Sequence, residues 1–147
     1  MQTTWIVAAD SSRARIFELH GLREPLREIE DFANPAGHAQ NRELETDGLG
    51  RYYGKGEQQQ GHTAEPRVDP VEHETDLFSK QVSDYLDQAR VEHRYDKLRL
   101  IAYPKFLGLL RQNLSKEAQR MVEEEVPKDI SMMKAREIED YVKHRPH

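Results

Sequence analysis

The chain has no cysteine, which excludes disulfides, thiolate metal sites, iron–sulfur clusters and cysteine nucleophiles together. Aromatic residues are scarce, at 7% with a single tryptophan, and apolar residues reach only 36%. No apolar run approaches the roughly 18–20 residues that a membrane span needs, so no membrane partner is expected. The opening residues Met1-Gln2-Thr3-Thr4-Trp5 carry neither the cationic start nor the small-residue cleavage pattern of a secretory signal. A cytoplasmic protein is the expectation. Positive charge is not in excess either: 22 Lys and Arg stand against 27 Asp and Glu, a net charge of -5. General affinity for nucleic acid comes mainly from a net positive field. No DNA partner is therefore expected, and any RNA contact has to come from a local basic patch.

What is present suits one domain of 147 residues, 1–147, because its apolar residues gather in periodic runs rather than thinning out as in disordered chains. Trp5-Ile6-Val7-Ala8-Ala9 is short, continuous and β-branched, the mark of a buried strand. Asp10-Ser11-Ser12 supplies turn chemistry, since these side chains hydrogen-bond nearby backbone. Ala14 to Leu19 reads as a second strand and Leu26 to Phe32 as a weaker third, so the short connections predict an antiparallel meander. Asn34-Pro35 ends it.

Residues 34–68 differ in kind. Six of the eight glycines fall between Gly37 and Gly61, with almost no aliphatic residues among them. A loop this long inside a compact domain is usually functional or disordered. Asp69 as N-cap, Pro70 at the first helical position and Glu72 then predict a helix start. The helix runs to about Arg90, with Phe78, Val82, Tyr85, Leu86 and Ala89 on one face. Lys97 to Tyr103 predicts a buried strand. Pro104 to Leu114 predicts a short helix that turns Leu107, Leu110 and Leu114 inward. Ser115 suits a cap for a further turn to Met121. Val122 to Val126 is a strand candidate despite three adjacent glutamates. Ser131 is read as the cap of a last helix that buries Ala135, Ile138 and Val142, and residues 143–147 are expected to fray. The order β-β-β-α-β-α-β-α, with a long Gly-rich loop before the main helix, predicts an α/β fold with a mixed sheet between helices. It is the order of a single ribonuclease H-like domain.

Particular residues then carry a resemblance. The run from Ala9 to Glu18 (Ala-Asp-Ser-Ser-Arg-Ala-Arg-Ile-Phe-Glu) resembles the opening of the bacterial host attachment protein family, the proteins required for attachment to host cells. Asn34-Pro35, Arg42-Glu43-Leu44, Thr46-Asp47 and Gly50-Arg51 match as well. So do Asp69-Pro70 with Glu72 and Glu74, the stretch from Ala102 to Arg111 (Ala-Tyr-Pro-Lys-Phe-Leu-Gly-Leu-Leu-Arg), and Lys128-Asp129-Ile130. The resemblance spans essentially the whole chain. It implies kinship with the ribonuclease H-like middle domain of archaeo-eukaryotic peptide-chain release factors. In those factors the loop before the long helix carries Gly-Gly-Gln. Here that loop reads Gly54-Lys55-Gly56-Glu57-Gln58-Gln59-Gln60-Gly61, so peptidyl-tRNA hydrolysis does not carry over, whereas a ribosome- or tRNA-contacting role does as an implication.

Catalytic readings fare poorly on the residues themselves. A ribonuclease H-like nuclease needs several carboxylates around two metal ions. Asp10 sits at the end of the first strand, yet the fourth ends Ile101-Ala102-Tyr103-Pro104 without an acid. Asp10 is better read as a turn cap than as a metal ligand. His62 and His73 form no metal-binding motif, and Ser11 and Ser12 lack a nucleophile motif. The basic residues say more: Arg13 and Arg15 in the first hairpin, Arg42, Arg51 and Lys55 in the loop, and Arg111 after Leu109-Leu110. A guanidinium suits phosphate, and Tyr52 and Tyr53 beside Arg51 suit stacking on exposed bases. His62 joins this candidate surface. The plainer alternative is internal ion pairing, of Arg13 with Asp10, Arg42 with Asp47, and Arg111 with a carboxylate.

The expectation is a non-enzymatic interaction protein that contacts the ribosome or RNA through the Gly-rich loop and its arginines, and affects attachment to host cells indirectly. No cofactor or metal is expected, and no protein partner is specified. A metal-dependent nuclease or hydrolase and a cell-surface adhesin are the alternatives.

Overall fold

A computed structural model describes residues 2–37 and 70–144. Five strands form one sheet: β1 (Thr4–Ala9), β2 (Arg13–Leu19), β3 (Arg27–Ala33), β4 (Lys97–Ala102) and β5 (Val122–Val126). The helices are α1 (Pro70–Val91), α2 (Pro104–Asn113), α3 (Lys116–Met121) and α4 (Ala135–His144). The strand order is β3-β2-β1-β4-β5. β1 and β2, and β2 and β3, pair antiparallel, whereas β1 with β4 and β4 with β5 pair parallel. Parallel neighbours need a crossover, and helices supply both: α1 before β4, α2 and α3 before β5. This mixed five-stranded order is the ribonuclease H-like arrangement that the sequence predicts.

β1 is apolar from Trp5 to Ala9 because both of its faces are covered. Trp5, Val7 and Ala9 join Ala14, Ile16, Leu98 and Leu100 under Phe78, Val82 and Leu86 of α1 and Phe106 and Leu110 of α2. Ile6 and Ala8 point the other way, packing with Phe17, Leu19 and Ile101 under Ile138 and Val142 of α4. One strand thus seeds two cores.

The predicted face of α1 is buried except for Tyr85. That ring lies half-buried at the rim, stacked on Trp5 at 6.0 Å and edge-on to Phe32 at 5.2 Å. Thr75, Ser79 and Ser83 are buried as well, where small side chains let α2 approach; Asn113 Nδ2 donates to Ser79 Oγ at 2.7 Å. Asp69, the expected cap, lies outside the described residues. At the other end α1 closes with paired terminal bonds, Arg94 N–H to the Ala89 carbonyl and His93 N–H to the Arg90 carbonyl, each 2.9 Å. That closure puts His93 at φ 57, a conformation that suits glycine. His93→Gly is therefore expected to raise stability by about 1 kcal/mol or less, since relief of backbone strain is partly offset by a freer unfolded chain. A urea midpoint measures it.

Ser115 caps α3 as predicted, accepting from Ala118 N–H at 3.0 Å and donating to Asp87 Oδ1 at 2.6 Å. That bond comes first among the causes that hold the Asp87 carboxyl below its ordinary range. The last helix departs from expectation. Ser131 caps nothing: its N–H and hydroxyl both donate to Asp129 Oδ1, at 3.0 and 2.7 Å. α4 begins four residues later, where Glu137 reaches back to accept from Lys134 N–H at 2.9 Å. Ala135 is consequently exposed rather than inward. Residues 143 and 144 belong to α4 instead of fraying, with Lys143 Nζ bound to the Glu24 carbonyl and to Glu139.

Candidate functional site

Six of the ten polar residues that are buried among the described residues gather at one end of the sheet. Asp10, Ser11, Ser12, Arg15, Asn34 and Ser131 are all buried, and all lie around the turn joining β1 to β2. Asp10 builds that turn. Its Oδ1 accepts from Ser12 N–H and Ser12 Oγ, both at 2.8 Å, and from Arg13 N–H at 2.9 Å. Asn34 then clamps it, donating from Nδ2 to the Ser11 carbonyl at 3.0 Å and from its N–H to the Ser12 carbonyl at 2.8 Å. The chain turns after Asn34 so that Gly37 rests on Ser11. A Cβ at Gly37 would stand 1.9 Å from the Ser11 carbonyl oxygen, and backbone on both sides prevents relief. Gly37→Ala is expected to lift this turn at a cost of about 1–3 kcal/mol, read from thermal or urea unfolding.

A second turn meets the first. Asp129 folds its own Asp-x-Ser turn around Ser131, and Arg15 Nη1 ties that turn to β2 through the Ser131 carbonyl. Partial burial lifts the Asp129 carboxyl above its ordinary range. The bonds from Ser131 oppose this, and the charge and hydrogen bond of Asp10 reinforce it. Asp129 has no counterpart among the sequence candidates. The signal lay in the repeated pattern, Asp10-Ser11-Ser12 and Asp129-Ile130-Ser131. Each carboxylate is engaged within its own turn, and the adjacent strand ends on Ala102 without an acid. Among the described residues, no group of three or more His, Asp or Glu side chains could hold a metal ion.

The candidate arginines separate clearly. Arg15 is buried and its fork faces inward: Nε and Nη2 bond the Glu28 carboxylate, each at 2.9 Å. Its Nη1 bonds the Ser131 carbonyl at 2.9 Å and the Met133 carbonyl at 2.6 Å. As a surface contact for RNA, Arg15 is corrected to a structural tie between β2, β3 and the 129–133 turn. Arg13 pairs in a fork with Asp31, at 2.9 and 2.7 Å, rather than with Asp10, because the β2–β3 register puts Asp31 diagonally across the ladder, two residues from Ala33, which faces Arg13 directly. The Arg13 bond is the main cause that keeps the Asp31 carboxyl below its ordinary range. Arg111 binds Glu125 of β5, the internal pairing that the sequence offers as the plainer alternative. Arg42, Arg51, Tyr52, Tyr53, Lys55 and His62 lie outside the described residues, as does the Arg42–Asp47 pairing.

The residues flanking that segment lie at the same end of the sheet. Gly37 rests on Ser11, and Glu72 in the first turn of α1 stands 3.9 Å from Lys105 of α2. Tyr103, just before α2, donates its N–H to the Ala9 carbonyl at 3.0 Å. Both flanks thus meet the protein where β1 and β4 end.

Fold and site together define a ribonuclease H-like α/β domain with a polar double turn at the ends of its central strands. The chain belongs to the family described as protein required for attachment to host cells, whose model matches residues 5–142. No curated protein matches it. Among solved structures it is similar to an archaeal translation termination factor, with a TM-score of 0.46 and 12% identity over 97% of this chain and 37% of that one. It is also similar to the type II variant of the Aquifex aeolicus Ppx/GppA phosphatase, with a TM-score of 0.44 and 12% identity over 86% of this chain and 36% of that one. The chain thus spans little more than a third of either structure's length. Among the described residues, no helix is long and apolar enough to cross a membrane.

Proposed function

We propose that this member of the host attachment family is a non-enzymatic docking protein that contacts the ribosome or RNA through the segment between Gly37 and Pro70. It acts from the cytoplasm, and attachment to host cells is affected indirectly, through translation. The observation that carries this reading is the placement of the two flanks. Gly37 on Ser11 and Glu72 beside Lys105 lie at one end of the sheet, and the sequence between them carries Arg42, Arg51, Tyr52, Tyr53, Lys55 and His62. The internal pairing of Arg13, Arg15 and Arg111 supports it too, because those guanidinium groups already have carboxylate partners.

Co-sedimentation of the full chain with purified ribosomes tests the proposal. Binding is expected to weaken as salt rises and to fall further in Arg51→Ala, since a phosphate that the protein no longer neutralises keeps its counterions. Absence of binding at low salt, or binding indifferent to both changes, overturns it. Magnesium-dependent RNA cleavage abolished by Asp10→Asn would replace this reading with the nuclease, and fractionation to the cell surface would replace it with the adhesin.

A further inference from the structure

At the far end of the sheet from the polar turns, where β1 begins and β2 ends, a chain of hydrogen bonds leads from solvent to the core. Trp5 faces Glu18 directly across the β1–β2 ladder, and its indole Nε1–H donates to Glu18 Oε2 at 3.2 Å. The other oxygen, Oε1, lies 3.1 Å from His20 Nε2. His20 Nδ1 lies 3.4 Å from the Thr3 hydroxyl. Trp5 is fully buried, whereas the His20 side chain is 37% exposed. Glu18 therefore stands between a ring that water reaches and one that it does not. We propose that His20, Glu18 and Trp5 form a pH-sensing chain: charging of the imidazole turns the His20–Glu18 bond into an ion pair and draws the carboxylate away from the indole N–H.

The geometry lets His20 titrate in place. An ionised carboxylate only accepts, so Nε2 carries a hydrogen in both states and Nδ1 is the nitrogen that gains the proton. There it meets a hydroxyl, which turns from donor to acceptor without moving its oxygen. Burial pushes the Glu18 carboxyl up, but the bonds from Trp5 and His20 and the charges of His20 and Arg27 outweigh it and leave it below its ordinary range.

The neighbouring charges are otherwise engaged. From β3, Arg27 lies opposite Glu18. After α1, the Arg94 guanidinium lies 4.9 Å from the centre of the Trp5 ring and 5.7 Å from that of Tyr85. Tyr85 of α1 donates its hydroxyl to Glu30 of β3, and Tyr95 donates its own to the Leu86 carbonyl. Beside β4, Asp96 accepts from Thr3 N–H, and Lys97 N–H donates to the Thr3 carbonyl. Histidine is the side chain whose ordinary titration falls between about pH 5 and 8, and His20 is the one histidine in this chain of bonds. The ion pair needs both charges. Its contribution is present once Glu18 ionises, below the ordinary carboxylate range, and fades as pH climbs through the histidine range.

The single tryptophan gives one indole N–H signal in the NMR spectrum of the full chain. Followed from about pH 8 to about pH 5, that signal is expected to move upfield with the same midpoint as the His20 ring protons, because the indole bond weakens as His20 charges. His20→Gln should hold the signal still over this range. Glu18→Gln removes the ion pair while keeping a polar side chain, and should reduce the movement several-fold; it decides the matter if the first variant fails to fold. An indole signal that stays still in the parent protein overturns the proposal. So does a movement that persists undiminished in either folded variant.

Discussion

Arg15→Ala is expected to cost about 3–5 kcal/mol, the penalty for removing one partner of a buried pair. The side chain is only 5% exposed. Its loss strands the Glu28 carboxylate and leaves the Ser131 and Met133 carbonyls without their donor. Urea unfolding followed through Trp5, the only tryptophan and fully buried, reports it directly. Arg15→Lys should recover little, because an ammonium cannot span a carboxylate and two carbonyls in one plane. Arg111→Ala should barely move the midpoint, since that pair is solvent-exposed and screened. If the order of these two arginines were reversed, the tie between β2, β3 and the 129–133 turn would be wrong.

The second large effect is expected at Asp10. Asp10→Ala removes the acceptor of three hydrogen bonds, two of them from backbone N–H groups. An unmet donor in a buried turn costs roughly 1–3 kcal/mol, which puts the total near ~3 kcal/mol. Asp10→Asn should cost much less because it keeps an oxygen in place. Urea unfolding curves for the two variants measure the difference.

The elements that were legible in the sequence are those whose partners are generic. β1 announced itself by an unbroken apolar run, and α1 by its spacing, because burial on a sheet or under a helix asks only for apolar surface at the right period. β5 looked poor on composition; it pairs on β4 while Glu123 and Glu125 find Arg99 and Arg111. What stayed hidden depends on a particular distant neighbour. Ser131 has the chemistry of a helix cap, and it was spent on Asp129. Arg13 has an aspartate three residues away, yet the strand register hands it Asp31. The bonds from Arg15 to the Ser131 and Met133 carbonyls join residues 116 and 118 apart in the chain, beyond the reach of any local pattern. Arg42, Arg51, Tyr52, Tyr53, Lys55 and His62 lie outside the described residues, and their candidacy rests on their chemistry alone.

The outermost strands carry a further meaning. β3 contributes Glu28, Glu30 and Asp31, and β5 contributes Glu123, Glu124 and Glu125. Sheets grow into fibrils by adding chains at their rims, some ~4.8 Å apart. At that separation a second copy laid along either rim would bring carboxylate against carboxylate. Acidity placed there disfavours self-stacking along either rim, even though arginines pair with Glu28, Asp31, Glu123 and Glu125.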